Sequence, residues 1–332
     1  MVKSLGFHRD TEKKKDTQSV PAADQPLDIS TIKYGDLTWV NVPHPTEREV
    51  EWLATNYNFH PLAMDDVLSR KQISKIDTYP GYLFFVFHHA FYQKETRIAS
   101  KRQWFAFLGD NYLVTINASE LRTLGALFRD CQANEETRKE YLSSGPGFLL
   151  YRIIDRSIDS YFPVLDKILN LMEDVEDAVF DEEIEAAKEL AVLRRDIIVQ
   201  RTVMFPTREI LVEMENKLKR FSKIDLTPLY NDLMDHMEKI CSTLDECKEM
   251  IEVFKDTDFV LGTDRLNRVM RILTIIATVT LPFLAISGIY GMNVFTPGGI
   301  EKGDLTTFVV VIAVMLFISV GMLIFFRRRR WI

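Results

Sequence analysis

The sequence predicts an α+β cytosolic domain, long stalk helices following it, and two transmembrane helices at the C-terminal end. Three observations carry this expectation. From Ile272 to Tyr290, and again from Leu305 to Phe326, the chain holds no Asp, Glu, Lys or Arg. Residues 37–131 alternate strand-like and helix-like patterns. From 148 onward apolar residues recur at helical spacing with almost no turn residues between them.

At 332 residues the chain exceeds one typical domain. Its net charge of −7 disfavours a nucleic-acid partner, which calls for clustered surplus Lys and Arg, and is compatible with attracting cations. Cys131, Cys241 and Cys247 are too few and too scattered for a disulfide framework, which suggests a reducing compartment. Residues 1–26 hold no apolar core of signal-peptide length and read as a disordered, Lys-rich tail.

Within the mixed domain expected over 27–145, LTWVNV and YLFFVFHHAF read as strands, while TEREVEWLATNYN and HPLAMDDVLS read as helices. QWFAFLGDNYLVTINA is two apolar runs split by Gly109, Asp110 and Asn111, a hairpin signal. A helical hairpin is expected over 146–226: Leu165, Ile168, Leu169, Met172 and Val175 recur at helical spacing, and Pro206 is read as the breaker within 148–221. The segment 173–189 carries nine carboxylates and one Lys. It reads as a solvated hairpin tip or as a surface whose field concentrates divalent cations; its spacing matches no EF-hand loop.

Pro228 after Thr227 marks a helix start. From there a stalk helix is expected to continue into the first span, over 227–290, if Gly262, Pro282 and Gly288 are tolerated; a break near Gly262 is the alternative. Each charge-free run approaches the ~20 residues that cross a bilayer. The loop 291–304 is too short to fold by itself, and the second span is expected over 305–326. Arg265, Arg268 and Arg271 precede the first span, and Arg327–Arg330 open the basic tail 327–332. Basic flanks on both sides place both termini in the cytosol and the loop outside, in a cell membrane.

On the first span Asn267, Met270, Thr274, Ala277, Leu281, Leu284, Gly288 and Gly291 follow three- and four-residue steps and share one face. That face has no ionisable group, whereas a proton relay would need one. Two helices cannot enclose a watery path, so a pore requires several copies; a simple anchor in lipid is the bland alternative. No Ser/His/Asp, Cys/His or phosphate-loop arrangement points to an enzyme. His88 and His89 are adjacent in a strand and point to opposite faces, and His60, before Pro61, is expected at a helix start. Those three and His236 read as structural, His236 being the one beside a carboxylate, Asp235.

The run NRVMRILTIIATVTLPFLAISGIYGMN, the second apolar span and the terminal RRRRWI resemble the CorA family of magnesium channels, whose hallmark tripeptide is matched by Gly291, Met292 and Asn293 after Tyr290. The resemblance covers residues from about 27 to 332. It implies a funnel-shaped homopentamer in the bilayer, transporting Mg²⁺, with Co²⁺ and Ni²⁺ as secondary substrates, and closed by Mg²⁺. By position it implies a selectivity ring at Asn293 and a polar ring at Asn267, with Met270, Leu273 or Thr274, Leu281 and Leu284 lining the pore between. It also implies a regulatory divalent-ion site between protomers, from Asp66 and Asp232, with Asp65 and Asp235 close enough to contribute. Two departures stand out: Leu284 sits where members often have Thr, and VFTPGGIEKGD lacks the Met-Pro-Glu that usually follows the tripeptide, leaving Glu301 or Asp304 as the nearby acid. The zinc-transporting branch, which commonly has Val in place of Met292, and a membrane-tethered scaffold remain as alternatives.

Overall fold

The computed structural model describes residues 26–69, 72–93, 98–117, 121–181, 186–292 and 305–331. The expected N-terminal tail lies outside them except for its last residue. The chain divides into two compact units: one extends to Leu171 and resumes over Val192–Lys248, the other comprises Met172–Ala191 and Glu249–Ile332.

The first unit is built on a six-stranded sheet. Its strands are β1 (Ser30–Tyr34), β2 (Leu37–Val42), β3 (Lys75–Tyr79), β4 (Tyr82–Gln93), β5 (Ile98–Gly109) and β6 (Tyr112–Asn117), in the order β1-β2-β6-β5-β4-β3. All neighbours are antiparallel except β2 and β6. The expected turn at Gly109–Asn111 joins β5 to β6, with Leu108 opposite Leu113. Pro80 and Gly81 join β3 to β4, and Gly81 takes φ 89°, a conformation that side-chain-bearing residues rarely adopt.

Alternation along the strands sends apolar residues to both faces. Val42, Phe84, Val86, Phe105 and Phe107 form one core with Leu53 of α1 (Glu47–Tyr57) and Ala63, Met64 and Val67 of α2 (Pro61–Leu68). Phe59 stacks on Phe107 with ring centroids 4.1 Å apart. On the other face Trp39 is fully buried, meets Phe128 of α3 (Arg122–Ala133) edge-on at 4.9 Å, and donates its indole N–H to Thr115 Oγ1 at 3.1 Å. Each such aromatic contributes about 1.5–3 kcal/mol through burial.

After α3 come α4 (Glu135–Leu142), α5 (Pro146–Asp159), α6 (Phe162–Phe180) and α7 (Ala187–Leu218). Pro206 does not break α7, contrary to the expectation; it lies inside a 32-residue helix. The interruption falls instead at Ser160–Tyr161. There Tyr161 is fully buried and its hydroxyl donates to Gln200 Oε1 of α7 at 2.9 Å. A second tie is the buried Asp196 carboxylate, which accepts the Ala99 N–H of β5 at 3.0 Å.

α8 runs unbroken from Thr227 to Gly291, 65 residues or about 95 Å at 1.5 Å per residue. Gly262 and Pro282 both lie within it, so the alternative of a break near Gly262 does not apply. α9 spans Leu305–Arg328. The most apolar stretches of α8 and α9 have mean hydropathies of 2.2 and 3.0, and 0% and 11% of their residues are buried. Apolar helices left this bare are not core helices of a water-soluble unit; they are candidate membrane spans.

Candidate metal-ion sites

The α8 stripe is the first candidate. Asn267, Met270, Leu273, Thr274, Ala277, Leu281, Leu284, Gly288 and Gly291 are all exposed in the single chain. The opposite side of the same helix, at Ile275, Thr278, Val279, Pro282, Phe283 and Ile286, is half-covered. α9 likewise has one covered face, at Met315, Ser319 and Phe326. A Cβ built on Gly288 or Gly291 would meet nothing within 4 Å, so packing within the chain does not account for these glycines. From Asn267 to Gly291 the stripe is about 36 Å long at 1.5 Å per residue, enough to cross the ~30 Å hydrocarbon layer.

Thr274 is the hydroxyl within this stripe. It donates to the Met270 carbonyl at 2.7 Å, which satisfies its proton on the helix and leaves its oxygen lone pairs facing outward. Met292 follows α8 in a bend, its N–H on the Ile289 carbonyl at 3.3 Å. Asn293, Glu301 and Asp304 lie outside the described residues.

Where α8 enters its charge-free run, a cleft of about 570 Å³ is lined by Asp264, Asn267, Arg268, Met270, Arg271, Thr274 and Trp331. Trp331 reaches it because α9 ends in a Schellman turn. The Trp331 N–H bonds the Phe326 carbonyl, the Arg330 N–H bonds the Arg327 carbonyl, and Arg330 takes φ 57°. The hydrophobic contact that accompanies such turns is the Trp331 ring stacked on Phe326 at 5.6 Å.

The aspartates form the second candidate. α2 starts at Pro61 with His60 as its cap, the ring Nδ1 accepting the Leu62 N–H at 3.2 Å. Burying Ala63, Met64 and Val67 turns Asp65 outward, exposed, and leaves Asp66 half-buried at the rim of the sheet. Both Asp66 oxygens are engaged: Lys75 Nζ lies 2.7 Å from Oδ2, and Gln72 Nε2 donates to Oδ1 at 2.8 Å. Lys75 also contacts Asp77 Oδ2 at 2.6 Å. Burial opposes the Lys75 charge, but the bonds to the two carboxylates outweigh it and raise its pKa.

Asp232 and Asp235 are exposed on the first part of α8. Asp232 stands in a separate setting from Asp66, close enough to Asp155 of α5 for its charge to act there. The Asp155 pKa is raised by burial first and by the Asp159 charge next, with Arg152 pulling the other way. His236 Nδ1 lies 3.5 Å from Asp159 Oδ1. Among the described residues no three His, Cys, Asp or Glu side chains form a ready-made metal cluster in one chain. The sequence named Asp66, Asp65, Asp232 and Asp235 but missed Lys75, Gln72, Asp77, Asp155 and Asp159. Of these, the four-residue spacing of Asp155 and Asp159 on one helix face was readable.

The profile of the CorA-like Mg²⁺ transporter protein family matches residues 34–328. The chain belongs to this family. It is a CorA-like divalent cation transporter with two candidate C-terminal spans. Among similar proteins, the putative metal ion transporter YfjQ of Bacillus subtilis is 27% identical over 92% of this chain and 93% of its own length. The cobalt/magnesium transport protein CorA of Thermotoga maritima is 27% identical over 89% of this chain and 83% of its own. The complete structure of the CorA magnesium transporter from Methanocaldococcus jannaschii superposes with a TM-score of 0.75 at 20% identity, covering 93% of this chain and 99% of that one. At that identity the likeness establishes a shared fold.

Proposed function

We propose that this CorA-like transporter is a Mg²⁺ uptake channel, with Co²⁺ and Ni²⁺ as secondary substrates. It conducts the hydrated ion down its electrochemical gradient through a homopentamer in the cell membrane, with both termini in the cytosol. The observation that carries this reading is the α8 stripe: membrane-length, free of ionisable groups, and left bare by its own chain. A path of that character cannot relay protons, so its cargo must bring its own charge and solvent. Five copies of α8 around an axis would enclose the path that one cannot.

Along the stripe, the polar side chains are Asn267 and Thr274, and an apolar stretch follows from Ala277 to Gly291. Mg²⁺ holds its water tightly and sheds it reluctantly. Neutral oxygens, from Asn267, Thr274 and the Asn293 carboxamide beyond Gly291 and Met292, accept hydrogen bonds from that water without competing for the bare ion. A ring of carboxylates would trap it, whereas conduction needs binding weak enough to release. Met270, Leu273, Leu281 and Leu284, with Ala277 between and Gly288 a turn beyond, form the apolar constriction, which closes by expelling water.

Closure is set in the cytosol. Asp66 and Asp65 of one protomer face Asp232 and Asp235 of the next. Like charges across an interface repel unless a cation sits between them, so Mg²⁺ favours the closed assembly to the extent that it binds that state better. The test is Mg²⁺ flux into liposomes containing the purified protein, with cobalt hexammine as a mimic of the hydrated ion. Uptake that hexammine blocks supports hydrated-ion conduction. Zn²⁺ uptake without Mg²⁺ uptake would instead assign the chain to the zinc branch, against Met292.

A further inference from the structure

We infer that Lys75 is a built-in competitor for the regulatory cation at Asp66, so that closing the channel is an exchange of one cation for another. The inference rests on the sensor reading of Asp66 proposed above. The Lys75 ammonium already holds Asp66 Oδ2 at 2.7 Å, where a divalent ion would neutralise the carboxylate, and Gln72 takes the other oxygen. The Asp66 and Lys75 side chains are 20% and 36% exposed, so the pair is only partly open to water.

β3 pairs Lys75 with Val86 of β4, and alternation puts Lys75 and Asp77 on the same side of the strand. Asp77 is what makes the exchange feasible. When a divalent ion takes Asp66, the ammonium keeps its 2.6 Å contact with Asp77 and is not left unpaired. A monovalent cation offers Asp66 no more charge than Lys75 already does. Mg²⁺ brings two charges and can bind through one or two carboxylates while keeping several waters. Lys75 therefore raises the cation concentration needed for closure and filters out monovalent ions.

The experiment measures the Mg²⁺ midpoint for protease protection of the full-length protein in liposomes, comparing wild type with Lys75→Met, Lys75→Arg and Asp66→Asn. Lys75→Met keeps the aliphatic stem and removes the charge, and should lower the midpoint roughly three- to tenfold. Lys75→Arg keeps the charge and should stay near wild type, which also controls for damage to β3. Asp66→Asn should raise the midpoint. If Asp66→Asn raises it while Lys75→Met leaves it unchanged or raises it, the competitor inference is overturned and the sensor reading stands. If Asp66→Asn leaves it unchanged, the sensor reading fails, and the inference fails with it.

Discussion

Leu281→Asn should produce a channel that cytosolic Mg²⁺ no longer shuts. Leu281 is 66% exposed and Leu284 69% exposed in the single chain, so most of their apolar surface is still available to be covered. Taking a leucine fully out of water is worth about 1.5–3 kcal/mol, and two-thirds of that is about 1–2 kcal/mol per chain. Five copies closing on one axis would gain at most about 5–10 kcal/mol at this ring, the limit in which all of that surface leaves water. Moving a two-state balance from 1:99 to 99:1 takes about 5.5 kcal/mol, so at that limit one ring suffices to decide it. Asparagine keeps the branched shape with the same number of side-chain heavy atoms and holds water in the constriction. Because the side chain is exposed in the single chain, the substitution should cost the protomer's own fold little. The assay is Mg²⁺ entry into liposomes preloaded with increasing Mg²⁺ and a fluorescent indicator. Continued entry at internal concentrations that silence the wild type is the expected result. A variant that closes like wild type, or that assembles as a pentamer but never conducts, would refute the reasoning.

The remaining predictions concern the filter, the sensor and the core. Asn293→Ala should lose Mg²⁺ flux or its selectivity over other ions; a mere anchor would tolerate the change in the same flux assay. Asp66→Lys with Asp232→Lys should weaken Mg²⁺-dependent closure, and unchanged protease protection by Mg²⁺ would count against the sensor assignment. His89 lies with Phe87, Trp104 and Met237 around a void of about 30 Å³, where burial first and the Arg102 charge second lower its pKa to about 4. An imidazole whose folded pKa is depressed below its unfolded value near 6.5 favours the fold while neutral, and that advantage is lost as pH falls from about 6.5 toward 4. The loss should be on the order of 2–3 kcal/mol and should show as a fall in melting temperature over that window. A His89→Leu variant should lack this component.

How far the sequence spoke depended on burial. β2, β4 and the β5–β6 hairpin were legible because their apolar residues form runs, those of the hairpin being split by Gly109, Asp110 and Asn111. β1 and β3 were not, because STIKY and KIDTY sit at the two ends of the sheet with mostly half-exposed residues and no apolar alternation. That blind spot reached the site. Asp66 was readable within HPLAMDDVL, yet its partners Lys75 and Asp77 come from β3, the strand that the pattern hid. Asp155 and Asp159 were visible as a helical pair, but only the fold brings Asp155 near Asp232. Pro206 misled in the other direction, since tertiary packing of a long helix outweighed the local cost of one proline. In α8 the stripe itself was plain, because an apolar run without charges needs no tertiary contact to be recognised.

The most direct measurement loads liposomes bearing the purified protein with a Mg²⁺ indicator, imposes an inside-negative potential, and varies internal Mg²⁺. The account predicts entry at low internal Mg²⁺, block by external cobalt hexammine, and silence once internal Mg²⁺ is high. Vesicles that stay impermeable at every internal concentration, or a purified protein that remains monomeric in lipid, would contradict it.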